Sequence, residues 1–156
     1  ILGKSAMLFE AASESGAVIA GATKEQQEAL RLFGRHIGIA FQLIDDVMDY
    51  ESSSDEMGKN VGDDLAEGKP TLPLIHAMRN GTEEQRQLIR QAIRKGGLED
   101  LEPISTAVAE TGAIDYTHQK AREQADQAIA CLQKLPQSDF RNILEQLTEM
   151  AVSRRA

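Results

Sequence analysis

The chain contains no tryptophan, one cysteine and four prolines in 156 residues, and aromatic side chains make up only 4% of it. Val, Ile, Thr and aromatic residues are too sparse, and apolar–polar alternation too short, to propose a sheet. The single Cys131 excludes a disulfide within the chain, so an oxidised scaffold is ruled out and a cytoplasmic setting is expected. On a helix, Cys131 reads as a small buried residue. No apolar run reaches the roughly 18 residues a bilayer span needs, and no signal-peptide pattern is visible. Positive charge is in the minority. Seventeen Lys and Arg against 25 Asp and Glu leave a net charge of −8, which argues against nucleic acid or an anionic membrane as partner. A cation offsetting clustered carboxylates is the more natural ligand.

What remains is helical pattern in one domain over residues 1–156, with enough apolar residues for a core. A first helix is expected from Lys4 to about Ala20, packing through Ala6, Phe9, Ala12 and Ile19 and ending near Gly21. Thr23 and Gln26 form a capping box for a long second helix reaching about Tyr50. Residues 51–70 are rich in Ser, Gly and charge and read as one long irregular segment. Thr71 and Pro73 start the next helix, Thr82 and Gln85 make a second capping box, and Gly96 and Gly97 stop that helix. Helices near 98–111, 113–134 and 138–152 follow, broken at Gly112 and Pro136. The chain opens on Ile1 in helical pattern, as expected of a piece of a longer protein.

The unusual stretch is "FQLIDDVMDY", residues 41–50. At about 100° per residue, Asp45, Asp49, Gln42 and Asp46 fall within about 100° of one another on the helix. The rest of the circumference carries Phe33, Ile37, Ile39, Ala40, Phe41, Leu43, Ile44, Val47 and Met48. A helix apolar nearly all round is buried, so the stripe must face something polar inside. Gly34 and Gly38 lie near its edge and would leave room for a cavity.

Two carboxylates roughly 5 Å apart repel by about 3 kcal/mol at an effective dielectric of ~20, but by under ~1 kcal/mol in water. A solvated patch would be harmless, whereas a cavity calls for a cation or raised pKa values. Oxygen donors with no His or Cys nearby favour Mg²⁺, which usually takes one or two carboxylates and shares its shell with water and phosphate. Lys4, Lys59 and Lys69 each follow a glycine, and lysine suits phosphate as a point charge. "DDLAE" (Asp63, Asp64, Glu67) repeats the acid spacing without the apolar surround and ranks second as a metal site. Asp63 could equally be an N-cap. His36, His76 and His118 share no ligand spacing and read as surface or packing residues.

In this order, "GKSAMLFEAASESGA", "GIAFQLIDDVMDY" and "MGKNVGDDLAEGKPTLPLIHAM" resemble the C-terminal half of trans-isoprenyl diphosphate synthases. The likeness is particular to the bacterial long-chain group of the octaprenyl type. It covers essentially the whole chain, with its motifs in residues 3–76.

The resemblance implies an all-α helical bundle of the isoprenoid synthase type. It also implies Mg²⁺-dependent head-to-tail condensation of isopentenyl diphosphate with an allylic diphosphate, giving a long all-trans prenyl chain such as a quinone side chain. Asp45, Asp46 and Asp49 would then hold Mg²⁺, and Lys4, Lys59 and Lys69 would bind the diphosphate. Ser5 and Gln42 would lie near the developing allylic cation as oriented dipoles. A homodimer is implied as well.

There are two departures from the family pattern. Ser5 stands where the family usually has threonine, and no segment supplies the family's first aspartate-rich motif. The expectation is therefore the C-terminal half of a synthase, inactive alone. The alternative is a non-catalytic helical subunit that regulates or scaffolds a synthase partner.

Overall fold

Helix boundaries fall where local chemistry sets them. The computed structural model describes residues 5–51 and 62–154. Helix α1 (Met7–Ile19) ends before Gly21, which takes a left-handed φ of 67°. The Gln26 amide then donates to Thr23 Oγ1 at 3.3 Å, and the Thr23 amide donates to Gln26 Oε1 at 3.0 Å. That reciprocal cap opens α2 (Lys24–Glu51).

A short α3 (Asp63–Ala66) lies inside the stretch expected to be irregular throughout. Thr71 precedes α4 (Leu72–Asn80), with Pro73 tolerated in its first turn. Thr82 and Gln85 cap α5 (Glu83–Lys95) reciprocally, and Gly96 and Gly97, both at positive φ, end it. Helix α6 (Leu101–Glu110), a turn at Gly112, α7 (Ala113–Leu132) and α8 (Asp139–Ser153) complete the order. Ser138 caps α8 by accepting the Arg141 amide at 3.2 Å. The fold is all-α, with no strand among the described residues.

The chain divides into two compact units. One takes the described residues up to Ile44 together with Lys120–Arg154; the other runs Asp45–Gln119. The first has Phe33 and Ile37 of α2, Ala128 and Leu132 of α7 and Ala151 of α8 at its core, with Phe9, Leu30 and Leu144 packed around them.

Helix α1 crosses α2 very closely. A Cβ on Gly34 would stand 2.3 Å from the Phe9 carbonyl oxygen, and one on Gly38 would stand 2.7 Å from Ala6 Cα. These glycines therefore admit a neighbouring backbone rather than leaving a cavity, which corrects the sequence expectation. The close crossing also selects the face of α1 that turns inward. Ala6, Ser13 and Ala17 are small enough to lie there beside Phe9. Ala12 is exposed and Ile19 is 86% exposed, so neither packs as the helical pattern predicts.

In the second unit, Leu65, Leu74, Ile89, Ile104 and Val108 form the buried centre, one or two from each of α3 to α6. Tyr50 and Leu101 pack against it. The three histidines serve separate local contacts, as expected of packing residues. His36 Nδ1 meets Gln124 Oε1 at 2.9 Å, His76 stacks on Tyr116, and His118 lies 3.5 Å from Glu51.

Candidate functional site

The acidic turn of α2 is held in apolar surroundings. Val47 and Met48 are buried beside Asp46, which is itself only 3% exposed. Asp45 and Asp49 are half-buried. A carboxylate as deeply placed as Asp46 requires compensation by charge or hydrogen bonds.

Asp49 has its compensation from the start of α3. Its Oδ1 accepts the Asp63 amide at 3.1 Å and its Oδ2 accepts the Asp64 amide at 3.3 Å. The main chain repeats the link, with the Gly62 amide donating to the Asp49 carbonyl at 3.1 Å. Burial pushes the Asp49 carboxyl above its ordinary value, and the negative charge of Asp64 adds to this, while the two amides pull it back. Burial likewise raises the Tyr50 phenol, and the carboxylates of Asp49, Asp64 and Asp46 add to that shift. Asp46 and Asp49 share α2 with Tyr50, and only Asp64 comes from α3.

Lys69 stands at the other end of the same turn. Its Nζ donates to Glu67 at 2.6 Å and to Asp64 Oδ1 at 3.0 Å, and its amide donates to the Asp64 carbonyl at 2.8 Å. Hydrogen bonding to Glu67 and then to Asp64 holds the ammonium above its ordinary range, so it stays cationic. The "DDLAE" segment is accordingly the setting for a lysine. Asp64 is its ion-pair partner, and the Asp63 and Asp64 amides are taken by Asp49. Gly62, not Asp63, occupies the cap position of α3.

In the first unit, Ser5 Oγ donates to Gln42 Oε1 at 2.6 Å, bringing together the two side chains expected to act as dipoles. Gln42 is 7% exposed. Lys4 and Lys59 lie outside the described residues.

The donor set suits a hard cation, being carboxylate oxygens with no His or Cys beside them. Among the described residues no three His, Cys, Asp or Glu side chains converge into a cage that could hold a metal alone.

Residues 1–111 match the family described as polyprenyl synthetase. The chain belongs to the polyprenyl synthetase family. It is 51% identical to the octaprenyl diphosphate synthase of Escherichia coli (strain K12), over 99% of this chain and 48% of that protein. It is 50% identical to the all-trans-nonaprenyl-diphosphate synthase (geranyl-diphosphate specific) of Rhodobacter capsulatus, over 99% of this chain and 47% of that one.

Among solved synthetase structures, the polyprenyl synthase of Caulobacter crescentus CB15, complexed with calcium and isoprenyl diphosphate, superposes with a TM-score of 0.90 at 43% identity. The match covers 100% of this chain and 48% of that structure's chain. The chain thus spans about half the length of the synthetases it matches. No helix among the described residues is long and apolar enough to cross a membrane.

Proposed function

We propose that this chain supplies the diphosphate-binding half of a trans-polyprenyl diphosphate synthase active site. The reaction joins isopentenyl diphosphate to an allylic diphosphate and lengthens an all-trans prenyl chain. The observation that carries this reading is the buried acid turn of α2 lying against a short helix that holds Lys69, in a chain half identical to a long-chain synthase.

Asp45 and Asp46 would hold Mg²⁺. When bound, that ion neutralises charge on the departing diphosphate. Lys69 adds a fixed positive charge to the same oxygens, and its pairing with Asp64 and Glu67 keeps it in place until the diphosphate arrives. Ser5 and Gln42, joined to each other, enter the reading as oriented dipoles near the allylic cation on the family likeness alone. Lys4 and Lys59 join the diphosphate-binding set on the strength of the family likeness alone. The working enzyme is a homodimer in this reading, with the remaining half of each site supplied by sequence like that found in the longer relatives.

Calorimetric titration with inorganic diphosphate, with and without Mg²⁺, tests the proposal. Binding should require Mg²⁺ and weaken at least about tenfold, or 1.4 kcal/mol, in Asp45→Asn and in Lys69→Ala. A folded protein that binds no diphosphate in the presence of Mg²⁺ would sink it. A non-catalytic scaffold would tolerate Asp45→Asn with its partner binding intact.

A further inference from the structure

Both carboxylate oxygens of Asp49 are directed into the fold, at the amides of Asp63 and Asp64. Helix α3 depends on an acceptor of this kind. It is four residues long, so the amides of its first turn have no partners within it. A residue in the cap position normally accepts them through its side chain, but that position is Gly62. Glycine is needed there. Its φ is +87°, and a Cβ would stand 2.6 Å from Leu101 Cδ1. The acceptor must therefore come from elsewhere, and Asp49 reaches it from α2, 14 positions earlier.

Capping has consequences further along the turn. With its first turn fixed, α3 places the Asp64 carboxylate 3.0 Å from Lys69 Nζ and the Asp64 carbonyl 2.8 Å from the Lys69 amide. The far end is pinned by the Gly97 amide, which donates to the Ala66 carbonyl at 3.0 Å.

We propose that Asp49 is a positioning residue, which caps α3 from a neighbouring helix and so sets Lys69 for the diphosphate. This rests on the reading of Lys69 as a diphosphate-binding group. It separates Asp49 from Asp45 and Asp46, although all three belong to one sequence pattern. A carboxylate serves both amides at once, whereas an asparagine offers one acceptor oxygen and an alanine none.

The test compares Asp49→Asn, Asp49→Ala and Asp45→Asn in the protein. It reads amide hydrogen exchange at Asp63 and Asp64 alongside the affinity for inorganic diphosphate and the Mg²⁺ concentration required. Asp49→Ala should speed exchange at both amides by about fivefold or more, the scale of a lost helix cap. It should also weaken diphosphate binding. Asp49→Asn should recover part of both effects and leave the Mg²⁺ requirement unchanged. Asp45→Asn should leave the two amides protected while raising the Mg²⁺ requirement.

If Asp49→Asn raises the Mg²⁺ requirement as much as Asp45→Asn and both amides stay protected, the inference is overturned. Should Asp49→Ala fail to fold, the asparagine variant carries the comparison alone. A wild-type protein that binds no diphosphate overturns the proposed function. Unchanged amide protection in a folded Asp49→Ala overturns the cap, whatever the binding result.

Discussion

Ser5 and Gln42, 37 positions apart, are joined by a 2.6 Å hydrogen bond from the serine hydroxyl to the carboxamide oxygen. A carboxamide oxygen accepts, so the bond holds Oε1 toward Ser5. Ser5→Ala removes one donor from a carbonyl on a residue that is 7% exposed and should cost about 1 kcal/mol in urea unfolding. Ser5→Thr keeps the hydroxyl and should recover most of that loss. Equal midpoints for the alanine variant and the wild type would show that the contact contributes nothing.

Three helix-interior glycines separate close approach from empty space. Gly34→Ala places a methyl 2.3 Å from the Phe9 carbonyl, and Gly38→Ala places one 2.7 Å from Ala6 Cα. Both neighbours are backbone, so the helices themselves must part, at a cost of about 1–3 kcal/mol or more. Gly16, inside α1, has nothing within 4 Å of where an added methyl would stand, and its substitution by alanine should stabilise by about 0.5–1 kcal/mol. Thermal unfolding of the three variants checks the contrast, and a stabilised Gly34→Ala would contradict the close crossing.

The differences between what is legible in the sequence and what requires the fold follow from range. The capping boxes at Thr23 and Thr82 and the stop at Gly96 involve residues within three or four positions, where composition dictates geometry. So does the acid stripe, since i and i+4 share a face on any helix and i+1 lies within about 100° of both. The glycines of α2 mislead because the partner of Gly34, Phe9, lies 25 positions away. On a helix already rich in small residues, periodicity alone cannot choose which face of α1 meets them. Spacing groups Asp49 with Asp45 and Asp46, whereas its partners at Asp63 and Asp64 exist only once α3 has formed.

Cys131 gives a pH dependence with a definite sign. Burial pushes its thiol above the ordinary value of 9.0, with Lys134 opposing and Glu28 reinforcing the shift. The folded form therefore keeps its proton to higher pH than the unfolded form does. The linked stability is complete below the ordinary value and is lost as pH rises through the raised one. Alkylation by iodoacetamide near neutral pH should be slower than for a free thiol, since thiolate is the reacting form. Cys131→Ala should remove the corresponding part of the alkaline fall in stability. Alkylation as fast as free cysteine would contradict the burial effect.

Helix α8 carries an apolar stripe that nothing in the first unit covers. Phe140, Ile143, Leu147 and Met150 are all exposed, Phe140 by 80%, while Thr148 and Ala151 of the same helix are buried. Their spacing of three, four and three residues lines them up along one side, the pattern of a helix seam. A stripe of that length in water favours association. In sedimentation velocity the chain should therefore grow in mean mass with concentration. Ile143→Glu with Leu147→Glu should suppress this while leaving helix content by circular dichroism unchanged, because neither position contributes to the core. A wild-type chain that stays a monomer across the concentration range would show that these exposed residues do not drive self-association.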